Sequence, residues 1–235
     1  FTNSVEGVST TYGWNLAVYR FADSNDYFAV INYVSPGSPA EKAGLKRGDI
    51  LLTLNNEYIN ADNYLDLYYS STLTSILGAY DAATNTISLS EEQVTLHAVN
   101  MYESPILCDT VYEFNGKKVG YLAYTSFDKR SIPQLIEIGK RFKSEGIKEL
   151  VLDLRYNGGG YVITENVLAS MFAPEANVKA GDVFEKEVYN ALLTEAYRQA
   201  GISLETPFTT EFNYDEINLH ISTKDANIGL ERIYG

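Results

Sequence analysis

A chain of 235 residues, 45% hydrophobic and 21% charged, is long enough to bury a sizeable core in one large or two modest domains. Its net charge of −13 argues against a phosphate-backbone partner, so no nucleic acid is expected. The lone Cys108 excludes an intrachain disulfide framework and Cys-rich zinc sites, and no apolar run approaches the ~20 residues of a membrane span.

The first half reads as short strands joined by tight turns. A strand is predicted from Tyr27 through Val34, followed by a turn at Ser35-Pro36-Gly37. Ser38-Pro39-Ala40-Glu41 forms a capping box for a one-turn helix that Gly44 ends in the left-handed conformation. Ile50 to Leu54 reads as a strand and Asn55-Asn56 as a hairpin turn. The spacing of Leu65, Tyr68 and Ile76 predicts a helix over residues 62–77, with Asp62 as N-cap and Gly78 as the stop. Residues 94–99 alternate as a half-exposed strand, and residues 102–109, with Pro105, read as a connector.

The second half changes pattern. Residues 119–124 form a strand, and residues 132–145 a helix with Leu135, Ile136, Ile138 and Phe142 inward, stopped by Gly146. Residues 150–154 make the next strand and residues 162–172 the next helix. This alternation implies right-handed βαβ units, whose ligands bind beyond the carboxyl ends of the strands. Gly158-Gly159-Gly160 lies at such an end.

Three adjacent glycines let the backbone take positive φ and present bare N–H groups, which favour negative charge at the mouth of a helix. A dinucleotide loop fails on spacing, because Ile163 stands where the last glycine belongs. A Walker loop fails because no lysine follows until Lys179. Two readings stay open on the glycines alone: a tight turn without a ligand, and an oxyanion hole for acyl transfer. No metal motif is present, and no cofactor is expected.

The run Asp153-Leu154-Arg155-Tyr156-Asn157-Gly158-Gly159-Gly160 resembles the signature of the C-terminal processing (tail-specific) peptidases, Ser/Lys serine proteases. Residues 116–122, Phe127, Ala173-Pro174 and Arg232-Ile233-Tyr234 extend the likeness. Residues 38–50, Ser-Pro-Ala-Glu-Lys-Ala-Gly-Leu-Lys-Arg-Gly-Asp-Ile, are similar to the PDZ domain that these peptidases carry. The wording is nearest to exported relatives from the Bacteroides group.

The resemblance implies an α+β chain. Residues 1–9 would be an N-terminal remnant, 10–101 a β-rich PDZ-like domain, 102–107 a connector and 108–235 an incomplete βαβ-type peptidase core. It implies Gly159 or Gly160 as the oxyanion donor, with Asp153 and Arg155 shaping the strand end. The serine and lysine of the dyad are expected after Gly235, in and beyond a Ser-Ala-Ser-like segment, so that this chain alone would not cut. Ser126, Ser170, His97 and His220 are expected to be structural.

The PDZ likeness implies that the loop Tyr12-Gly13-Trp14-Asn15-Leu16 receives the carboxylate of a protein or peptide C-terminal tail, with residues 62–77 as the other wall. A buried, purely structural Trp14 is the competing reading. The expected location is exported: periplasmic, or anchored to the outer membrane as a lipoprotein. An uncovered final strand invites a homodimer. A PDZ binder on a non-cutting peptidase scaffold is the alternative function. Residues 182–225 carry no functional reading.

Overall fold

The computed structural model describes residues 8–214 and 219–234, and the chain divides after Ser104 into two compact units. Most of the N-terminal remnant expected over residues 1–9, and residues 215–218, lie outside the described residues.

The first unit contains β1 (Val8–Thr11), β2 (Trp14–Arg20), β3 (Asp26–Val34), the short helix α1 (Pro39–Lys42), β4 (Ile50–Leu51), β5 (Thr53–Leu54), β6 (Glu57–Asn60), the four-residue helix α2 (Asp66–Tyr69), β7 (Thr72–Asp81), β8 (Thr86–His97) and β9 (Val99–Tyr102). Its seven-stranded sheet runs β5-β6-β3-β4-β7-β8, with β2 added on the free flank of β3. β1 pairs antiparallel with β9.

The predicted turns form for the predicted reasons. Asn55 and Asn56 both take positive φ, 51° and 74°, as the tight hairpin between β5 and β6 requires. Ser38 Oγ accepts from the Glu41 N–H at 3.1 Å and caps α1. Glu41 reaches back one residue further than a capping box would, and its Oε2 accepts from the Gly37 N–H at 2.6 Å.

The helix expected over residues 62–77 is not there. Only Asp66–Tyr69 is helical, Asp62 caps nothing, and residues from Thr72 onward are strand. Leu73, Ser75 and Leu77 are buried while Thr72, Thr74 and Ile76 face the other side, a period of two rather than 3.6. Pairing along the whole of β8 then outweighs the helical spacing of a few apolar residues. Gly78 is no helix stop but a packing requirement inside β7, where an added Cβ would stand 2.9 Å from methyl groups of Ile50 and Ile87. The strand expected at residues 94–99 falls in the last third of β8, with Val99 opening β9.

The second unit contains β10 (Ile106–Phe114), β11 (Lys117–Tyr124), a 3₁₀ turn (Lys129–Ser131), α3 (Ile132–Ser144), β12 (Glu149–Asp153), α4 (Val162–Phe172), α5 (Glu175–Ala180), β13 (Val183–Lys186), α6 (Ala191–Gln199), β14 (Glu205–Pro207), β15 (Glu211–Tyr214), β16 (Leu219–Ser222) and β17 (Arg232–Tyr234). Its four-stranded sheet is ordered β10-β11-β12-β17. The β10–β11 pair is antiparallel, and β11–β12 and β12–β17 are parallel. β10 opens at Ile106, inside the stretch expected as connector, because Ile106 is buried and pairs with Tyr124.

Helix α3 is the crossover between the parallel strands β11 and β12, and α4 continues from the carboxyl end of β12. Leu135, Ile138 and Phe142 of α3 pack with Leu122, Leu150, Val167 and Met171 in one apolar core. Gly139 lets the two helices approach, since a Cβ there would meet Met171 Cε at 2.6 Å. Phe142 is fully buried, so Phe142→Ala is expected to lower stability by about 3–5 kcal/mol in equilibrium urea denaturation. A loss near zero would mean that this core is not packed as described.

Candidate active site

The strand β12 ends on a charged clamp. Arg155 donates from Nε to Asp153 Oδ1 at 2.9 Å and from Nη2 to Oδ2 at 2.6 Å, and Tyr121 Oη donates to Oδ2 at 2.8 Å. The backbone N–H of Arg155 also donates to Oδ1, at 3.1 Å. These donors, Arg155 foremost, hold the Asp153 carboxyl well below the usual carboxylate range. The carboxylate side is 11% exposed and the Arg155 side chain 69%, so the pair closes the strand end and leaves the guanidinium in solvent.

Beyond the clamp the chain turns through the glycines while held by the end of β11. Gly158 N–H donates to Thr125 O at 3.2 Å, Phe127 N–H to Gly159 O at 2.9 Å, and Tyr161 N–H to Phe127 O at 2.8 Å. Ser126 Oγ adds a second hydrogen bond to Gly159 O at 3.2 Å. Asn157 spans the turn: its Nδ2 donates to Tyr124 O at 3.2 Å and its Oδ1 accepts from Gly159 N–H at 2.8 Å. Gly159 and Gly160 have φ of 95° and 145°, accessible to glycine and rarely to other residues. An added Cβ at Gly160 would run into the Phe127 carbonyl.

The two glycines therefore differ. The Gly159 N–H is taken by Asn157, whereas among the described residues the exposed Gly160 N–H has no acceptor. It lies just before α4, at the helix end that favours negative charge.

Next to this loop is an apolar cavity of about 370 Å³, whose lining includes Phe127, Leu152, Leu154, Phe172, Phe184 and Phe208. Phe127 belongs to both features, because it is also the backbone partner of Gly160. Glu165 lines the same cavity, and burial, with Glu185 nearby, raises its carboxyl pKa. Thus part of the segment 182–225, silent in the sequence, supplies a wall through Phe184 and Phe208, whose rings lie 5.5 Å apart.

Other polar candidates serve structure. Ser170 is buried in α4 and donates to Asn166 Oδ1 at 3.0 Å. His97 Nδ1 lies 3.0 Å from Thr72 Oγ1, and His220 Nδ1 3.0 Å from Asn213 Oδ1. Among the described residues no cluster could hold a metal ion. Asn157 and Ser126 were not singled out as site residues from sequence, although an Asn beside a glycine turn commonly bonds backbone two residues on.

In the first unit, the side chains of Tyr12, Trp14 and Leu16 are buried in the core. Trp14 Nε1 donates to Leu67 O at 3.1 Å, and Tyr12 Oη to Ser70 O at 2.7 Å. Gly13 takes φ of 76°, and its N–H donates to Thr11 Oγ1 at 2.9 Å. Asn15 accepts from Asn32 Nδ2 at 2.8 Å. What this stretch offers outward is backbone: among the described residues, β2 pairs only with β3, which leaves its other edge open.

Residues 118–204 match the model of Peptidase family S41 and residues 30–71 that of a PDZ domain. The C-terminal processing peptidase of Tetradesmus obliquus is 28% identical over 139 residues, covering 54% of this chain and 29% of that protein. The carboxy-terminal processing protease CtpA of Bacillus subtilis is 26% identical over 142 residues, covering 59% and 29%. A crystal structure described as an S41 protease from Bacteroides fragilis superposes with a TM-score of 0.73 at 28% identity, covering 95% of this chain and 56% of that one. The chain thus spans under a third of the length of these curated relatives.

The clamp has a pH signature. The folded-state pKa of Asp153 is depressed, so its contribution is complete above its unfolded value of about 4 and is lost as pH falls through the folded value. Arg155→Gln should therefore destabilise the protein at neutral pH and converge on the parent in strong acid. A stability difference that does not vary with pH would remove the ion pair from this account.

Proposed function

From a chain that joins a PDZ domain to a region of peptidase family S41, we propose that the parent protein is a serine endopeptidase acting on protein C-terminal tails. It would hydrolyse peptide bonds with a Ser/Lys dyad contributed from outside residues 1–235. The residues in hand would stabilise charge: the Gly160 N–H meets the oxyanion of the tetrahedral intermediate. One such donor is typically worth about 3–4 kcal/mol of transition-state stabilisation. The observation that carries this reading is the unengaged N–H of Gly160 beside an apolar cavity, on a loop whose other N–H groups are bonded.

The PDZ domain would hold the tail by backbone pairing along the open edge of β2, with its carboxylate at the loop of Tyr12, Gly13, Trp14, Asn15 and Leu16. The apolar cavity would seat an apolar side chain near the scissile bond. The domain bounds of 10–101 and 108–235, and an exported, periplasmic or lipid-anchored location, belong to the same reading on the resemblance. A homodimer would extend this sheet by pairing at β17.

The full-length protein is expected to cleave an unstructured peptide with an apolar C-terminal tail, and serine-directed inhibitors should abolish the activity. The free-acid peptide should bind more tightly than its amide. Binding without cleavage would favour the peptide-binding scaffold, and equal affinity for acid and amide would remove the carboxylate from recognition.

A further inference from the structure

The glycine loop holds four consecutive backbone N–H groups, at Gly158, Gly159, Gly160 and Tyr161. Three have named acceptors: Thr125 O, Asn157 Oδ1 and Phe127 O. Only the acceptor for Gly159 comes from a side chain. In a planar trans peptide the C=O and the following N–H point in opposite directions. The Gly159 carbonyl is gripped by Phe127 N–H at 2.9 Å and Ser126 Oγ at 3.2 Å. That grip turns the Gly160 N–H away from the β11 extension. The preceding peptide would be free to rotate were its N–H not tied to Asn157, because glycine φ and ψ impose little restraint of their own.

We infer that Asn157 is a positioning residue, which sequesters the Gly159 N–H and thereby makes the Gly160 N–H the one that faces the reacting carbonyl; this rests on the proposed peptidase reading. The side chain works at both ends. Nδ2 anchors it to Tyr124 O on β11, and Oδ1 fixes the glycine turn. Tyr124 is itself fully buried, with its Oη 2.6 Å from Ser131 Oγ. Asn157 thus couples a rigid strand to a loop that has no side chains with which to hold its own shape. Ser126 has a lesser part, since Phe127 N–H still grips Gly159 O without it.

Two measurements test the assignment. In this chain, backbone amide exchange by NMR should show Gly159 protected and Gly160 exchanging freely, and Asn157→Ala should release Gly159. Equal exchange of the two glycines in the parent, or protection of Gly159 that survives Asn157→Ala, would overturn the inference. In the full-length protein, Asn157→Ala should lower kcat by about a hundredfold with KM little changed, the scale of a misplaced catalytic group. Ser126→Ala, a variant with little reason to misfold, should lower kcat only a few-fold.

An active full-length protein whose Asn157→Ala variant keeps its kcat sinks the inference, as does a larger loss from Ser126→Ala than from Asn157→Ala. A full-length protein with no peptidase activity sinks the proposed function instead, and the catalytic role with it. In that case the exchange data still report whether Asn157 holds Gly159.

Discussion

The site depends on one constraint: a glycine loop that cannot hold its own shape is laced to the end of β11. Thr125, Ser126 and Phe127 contribute backbone or hydroxyl groups, and Asn157 reaches across to Tyr124 O. Glycine brings the widest conformational freedom of any residue, so the loop's shape must come from its partners. The parallel pairing of β11 with β12 brings those partners within reach. The core beneath, with Phe142, Leu150 and Val167, keeps that pairing rigid. Local hydrogen bonds then decide which N–H faces outward.

Charge and burial are separated around this loop. Asp153, Arg155 and Tyr121 form a clamp at the strand end, and the guanidinium faces water. The cavity beside Gly160 is almost wholly apolar, with the Glu165 carboxyl raised by burial. Tyr124, beneath the loop, is buried deeply enough that its phenol is pushed up to about 12 and stays neutral. A fixed N–H dipole is worth more beside such an apolar surface than in water, because less solvent screens it.

The first unit uses its aromatic residues differently. Trp14 fills the space against α2 and satisfies the Leu67 carbonyl, while Tyr12 ties Ser70. Their side chains, with that of Leu16, belong to the core. Among the described residues β2 pairs only with β3, so what this stretch leaves open is the backbone of its other edge.

Elements set by local chemistry were legible from sequence. The Ser38 cap, the Asn55-Asn56 turn, and helices α3 and α4 each follow from residues adjacent in the chain. The helix expected over residues 62–77 failed because its apolar spacing was compatible with two periods, and pairing with β8 selected the strand. The glycine triplet marked a turn or an oxyanion hole, and Gly159 and Gly160 were indistinguishable there. Their difference arises from Asn157, Ser126 and Phe127, which meet only when β11 and β12 lie side by side. Sequence by itself determined where the bare N–H groups sit. Tertiary structure decided which one is free, because long-range hydrogen bonds orient a peptide plane that glycine leaves unrestrained.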